Sequence, residues 1–127
     1  MYVSTLTENQ ITSFTQEGAI QLSMAETLRE ITTKKLEISG VDQEIKTRQQ
    51  ALEAIDHDQV RLRENMKALR GSPEEKALLQ RYTRQLDEQE DQLASLQKQI
   101  AEQKSKRAQM QSELDTRVQQ IAIDQSL

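Results

Sequence analysis

Asp56-His57-Asp58 is the one place in this chain where residue types used in metal binding and acid–base catalysis stand together. An imidazole between two carboxylates can hold a divalent cation or pass a proton if all three groups reach one point. On a helix they do not, because consecutive side chains point about 100° apart. The sequence has no second histidine and no cysteine. Thiolate ligands, disulfides and cysteine nucleophiles are thereby excluded. No Gly-rich phosphate loop, no histidine pair at metal spacing and no Ser/His/Asp arrangement occurs. The expectation is a protein with no catalytic, cofactor-binding or metal-binding residues, and not an enzyme.

Charge is more informative. Between Gln59 and Arg84 lie seven basic residues (Arg61, Arg63, Lys67, Arg70, Lys76, Arg81 and Arg84) against three acids, Glu64, Glu74 and Glu75. Seven minus three gives about +4 there, so a chain of net charge −4 carries about −8 elsewhere. A basic cluster on an acidic molecule can engage an acidic protein, an anionic membrane surface or nucleic acid. A local role competes, since Lys67 and Arg70 would complement the negative end of a helix. Nucleic acid is disfavoured, because no aromatic platform or groove-reading element accompanies the charge. No apolar run approaches the roughly 18 residues of a membrane span.

The elements that carry these residues are helical by pattern. Apolar residues make up 35% of the 127-residue chain and aromatics 2%, too few large side chains for a compact core but enough for a narrow seam. From Ile31 to Leu69 the apolar spacing alternates three and four. Ile31, Ile38, Ile45, Leu52, Gln59 and Met66 form the a series of a heptad. Lys34, Val41, Arg48, Ile55, Leu62 and Leu69 form the d series. A second helix repeats the rhythm, with a at Leu79, Leu86, Leu93, Ile100, Arg107, Leu114 and Ile121. Its d positions are Tyr82, Gln89, Leu96, Gln103, Met110 and Arg117. Sustained a/d spacing points to a coiled coil. His57 falls at position f, on the outer face.

Arg70-Gly71-Ser72-Pro73-Glu74-Glu75-Lys76 separates the two stretches. Gly71 suits a left-handed C-cap, Ser72 an N-cap and Pro73 the first turn of the next helix. Ser72-x-x-Glu75 is a capping box. So short a connection makes the helices antiparallel. Pairing positions whose numbers sum to about 148 then sets every a opposite a d. Gln59 meets Gln89 in this register, an amide layer able to hydrogen-bond and fix the alignment. Layers near the turn are mostly apolar, and those farther away nearly all include a charge or an amide. Ahead of the hairpin, Thr7-x-x-Gln10 and Gly18 delimit a short helix at about 8–17, and Ile20 and Leu22 fall in a connector before a second capping signature, Ser23-x-x-Glu26. Ile11, Phe14, Ile20 and Leu22 would pack on the base of the hairpin.

The fold expected is all-α: a long antiparallel two-helix coiled-coil hairpin with a short N-terminal helix. Residues 1–22 form the lead-in, and 23–127 the hairpin, with helices at about 24–69 and 73–122 and the turn at 70–72. Ser39-Gly40 is its weak point.

Asp58-Gln59-Val60-Arg61-Leu62-Arg63-Glu64-Asn65-Met66-Lys67-Ala68-Leu69 resembles a string near the C-terminal end of bacterial proteins related to mucoidy inhibitor A. Leu79-Gln80-Arg81-Tyr82 and Leu86-Asp87-Glu88-Gln89-Glu90-Asp91 resemble the partner helix there, and Thr7 to Ile20 resembles the segment joining such a hairpin to a β-rich domain. The lack of cysteine is compatible with cytoplasm or periplasm and selects neither. The resemblance implies a helical arm of a bacterial protein whose β-rich domain lies outside this chain. It also implies a polar cluster of Arg61, Arg63, Asn65, Arg81, Tyr82 and Glu90 around the tip. The function expected is a structural or protein-interaction arm, acting through a protein partner or self-association. Its alternative is a binding tip of Arg61, Arg63, Asn65, Lys67, Arg70, Arg81, Tyr82 and Arg84 for an anionic partner.

Overall fold

The computed structural model describes the backbone of residues 8–126, and the side chains of 18, 19 and 21–124. Two helices account for it: α1, Glu8–Lys67, and α2, Pro73–Ser126. They pack against each other as an all-α hairpin, with no strand among the described residues. Contacts divide it into two units. Ile38–Gln111 holds the turn, and Met1–Glu37 with Ser112–Leu127 holds the open ends.

The turn forms as its residue types require. The last helical bonds tighten, with Ala68 N–H on Asn65 O and Leu69 N–H on Met66 O, both at 3.2 Å. α1 therefore ends two residues earlier than the spacing predicts, and 68–72 make the reversal. Gly71 adopts φ = 89°, a left-handed conformation costly for any residue with a Cβ. The capping box is reciprocal: Glu75 N–H donates to Ser72 Oγ at 3.1 Å, and Ser72 N–H donates to Glu75 Oε1 at 3.4 Å. The other oxygen of Glu75 accepts the Arg70 N–H, so one carboxylate holds both ends of the turn.

The expected short helix is not separate. α1 runs unbroken from Glu8, and Gly18, Leu22 and Ser39-Gly40 are all helical. A glycine inside a helix costs only about 1 kcal/mol against alanine, which the hydrogen-bond ladder on either side outweighs. Ser23 does not cap; its carbonyl accepts the Thr27 hydroxyl at 2.9 Å within the helix. Leu22 is 69% exposed and packs on no base. The side chains of Ile11, Phe14 and Ile20 lie outside the described residues.

In the unit that holds the turn, the seam follows the a and d series. Ile38, Val41, Ile45, Leu62, Leu93 and Ile100 are buried, as is Gln59. Val41, Ile45 and Ile100 form one cluster, with Leu52 and Met110 packed on it. Only the first turn of α2 departs: Leu79 is turned outward, 39% exposed, and Leu78 takes the half-buried place instead. Residues 75, 78, 82 and 85 are the half-buried ones here, so the inward face of α2 is rotated by about one residue where the chain leaves the cap. In the unit of the open ends, Leu114 is the buried hydrophobic residue among those described.

Candidate functional site

Six polar seam residues obey one geometric rule. In the turn unit, Gln59 Nε2 donates to Glu90 Oε1 at 3.0 Å, and Arg107 Nε pairs with Asp42 Oδ1. These are a residues reaching e positions of the facing helix. Gln89 Nε2 donates to Asp58 Oδ2, Gln103 Nε2 to Glu44 Oε2, and Arg48 Nε to Gln99 Oε1 at 3.2 Å. These are d residues reaching g positions. In the unit of the open ends, Arg117 reaches Glu30 at 3.6 Å, again d to g. The paired numbers sum to 147 or 149 throughout, one either side of the expected 148. The cause is desolvation. A charge or amide left in the apolar centre would lack partners, so each of these head groups moves one step to the rim, where a polar partner lies.

This corrects the expected amide layer. Gln59 and Gln89 do not bond each other; each takes a carboxylate beside the other. The layer is therefore four residues, Asp58, Gln59, Gln89 and Glu90. Gln59 is buried, and the Gln89 Oε1 atom is buried without a protein partner. Asp58 also accepts Arg61 Nε at 2.8 Å. That bond, and then the one from Gln89, hold its carboxyl below the ordinary carboxylate range; the same bond raises the Arg61 guanidinium. Asp58 was legible in principle, as an acid at position g flanking one seam glutamine and facing another.

The basic tip is assembled differently. Arg61 pairs with Asp58, and Lys67 with Glu64 at 3.2 Å on the same helix. Arg63, Arg70, Lys76, Arg81 and Arg84 are exposed, and none makes an ion pair among the described residues. Arg70 uses its backbone N–H, not its guanidinium, to reach Glu75. Asn65 and Tyr82 are half-buried, consistent with bracing the seam rather than with a free binding surface. Of the polar cluster implied by resemblance, Arg61 pairs with Asp58 and Glu90 is engaged by Gln59. No polar bond joins Arg63, Asn65 and Arg81 to them.

His57 is exposed on the outer face, as position f requires. Among the described residues no three acids, histidines or cysteines converge as a metal site, and no helix is long and apolar enough to cross a membrane. Surface recesses are shallow: one in the open-end unit includes Glu30, Lys34, Glu113 and Arg117, and one on α2 is lined by Leu79, Gln80, Thr83, Arg84 and Asp87. Comparison with family models, with curated proteins and with solved structures finds no match. The resemblance to mucoidy inhibitor A relatives therefore stands on the quoted strings alone.

Proposed function

We propose that this hairpin is a non-enzymatic structural or protein-interaction arm, a coiled coil belonging to a larger bacterial protein. The observation that carries the reading is the seam. The heptad hydrophobes face the other helix and the polar seam residues reach its rim, so the arm can hold its form from within its own chain while the charged outer faces stay available. Such an arm must fold by itself. Thermal unfolding followed by circular dichroism is expected to be cooperative, and Leu93→Asp is expected to abolish the transition. A chain with little helix at room temperature, or a Leu93→Asp melt that coincides with the wild-type curve, overturns the proposal.

A second reading is favoured by the five tip cations without ion pairs. In it the tip binds an anionic protein or membrane surface. Salt-sensitive binding to anionic vesicles, absent with neutral vesicles and lost in Arg81→Glu/Arg84→Glu, is the expected result. No binding to anionic vesicles at low salt removes the membrane form of this reading.

A further inference from the structure

The outward turn of Leu79 exposes a face of α2 that the seam does not use. At helical spacing this face carries Lys76, Gln80, Thr83, Asp87 and Asp91, with Leu79 and Arg84 on its edges, and all are exposed. The recess lined by Leu79, Gln80, Thr83, Arg84 and Asp87 lies in its middle. Charge along the face is ordered, with Lys76 and Arg84 towards the turn and Asp87 and Asp91 away from it. None of the four has an ion pair among the described residues.

We infer that this face is a self-complementary docking surface for a second copy of the chain, laid antiparallel across a two-fold axis between Thr83 and Arg84. The inference deepens the interaction-arm reading and rests on it. A two-fold contact requires that residue i of one copy meet j of the other, and j meet i. About an axis at this place, Lys76 of each copy lies opposite Asp91 of the other, and Gln80 opposite Asp87. Lys76 meets an anion and Gln80 a carboxylate, each twice over, while Arg84 of each copy lies opposite Thr83 of the other. The parallel arrangement sets Lys76 against Lys76 and Asp91 against Asp91, so repulsion selects the antiparallel one. Exposed ion pairs contribute little each, so the association expected is weak and salt-sensitive. An acidic partner of another kind suits the face less well, because its own Asp87 and Asp91 would repel it.

The test uses the full chain and sedimentation velocity over a wide concentration range. The wild type is expected to dimerise reversibly. Lys76→Glu and Asp91→Lys each place like charges across the axis, and each is expected to weaken self-association by about ten-fold. Mixed together, the two variants are expected to regain the affinity as a heterodimer, because the reversed charges then face each other correctly. Circular dichroism of each variant is expected to show an intact hairpin, since both positions are exposed. Thr83→Cys provides the geometric arm of the test: the chain has no other thiol, so mild oxidation is expected to give a disulfide-linked dimer, while His57→Cys under the same conditions does not. A wild type that stays monomeric at every concentration overturns the inference and leaves the arm free to act through another partner. A dimer that Lys76→Glu leaves unweakened, or variants whose mixture fails to recover, overturns it equally. A melt without cooperativity would instead sink the arm reading.

Discussion

The seam near the turn and the seam around Val41 and Ile100 contrast in an unexpected direction. The first is richer in apolar residues, yet apart from the fully buried Leu62 its Met66, Leu69, Tyr82 and Leu86 are only half-buried. The second is interrupted by Arg48, Gln103 and Arg107, yet Ile38, Val41, Ile45 and Ile100 are buried. Long polar side chains explain the difference. Arg107 passes over the seam to Asp42 with its head reaching water, and Gln103 reaches Glu44 while its Oε1 stays buried, so both stems run beside the short branched residues. Near the turn the large side chains reach beyond a two-helix seam, and few long polar residues bridge it. In a hairpin this narrow, burial is set by what crosses the seam as much as by what fills it.

The largest effect expected is at Leu62, which is 0% exposed. Leu62→Asp buries an unpaired charge and is expected to cost about 4 kcal/mol or more, measured by urea unfolding. Leu69→Asp, half-exposed in the same seam, is expected to cost much less. Equal losses would show that burial does not grade the turn-proximal seam.

Arg107 sharpens the other side of the comparison. Arg107→Ala uncovers the Val41 cluster and is expected to cost about 1–2 kcal/mol, whereas Arg107→Met keeps a long stem and recovers most of that. If both variants lose the same amount and high salt erases the difference from wild type, the ion pair with Asp42 is what matters and not the cover.

Two glycines offer a smaller and opposed pair. Gly71→Ala places a Cβ on a backbone at φ = 89° and is expected to destabilise by about 1–2 kcal/mol. Gly40→Ala meets nothing within 4 Å on a helical backbone and is expected to stabilise by about 1 kcal/mol. Thermal unfolding of the two variants should move in opposite directions; a shared direction would contradict the assigned turn.

The smallest effect is acid sensitivity. Asp58 is held below its ordinary range first by Arg61 and then by Gln89, and Glu75 first by the Arg70 N–H and then by the Ser72 hydroxyl. A depressed folded-state carboxyl gives stability that is fully present above the unfolded value of about 4 and lost as pH falls through the folded one. Melting temperature is therefore expected to drop below about pH 4, on these groups' account, and less steeply in Asp58→Asn. A wild-type and Asp58→Asn pair with superimposable acid profiles would remove Asp58 from the register layer.

The helical hairpin, its capped turn and its register were legible because each rests on local or periodic information. Gly71, Ser72 and Glu75 act within a few residues of one another, and two heptad series joined by a short turn admit one alignment. The short N-terminal helix was misread for the same reason: Gly18 and Ser23 look like boundaries locally, but the penalty is too small to break a helix. Partner choice along the seam was not legible. Gln59 and Gln89 are opposite by number, and only side-chain geometry sends each to the neighbouring carboxylate.

By itself the sequence determined that two long helices form, where they turn, and which of their residues face inward to within one position. The tertiary structure alone decided which hydrophobes are covered, which cations remain unpaired, and that Leu78 rather than Leu79 turns inward. Those outcomes depend on competition between side chains for a rim only two helices wide, where a single step trades burial for water, and no spacing rule encodes that trade.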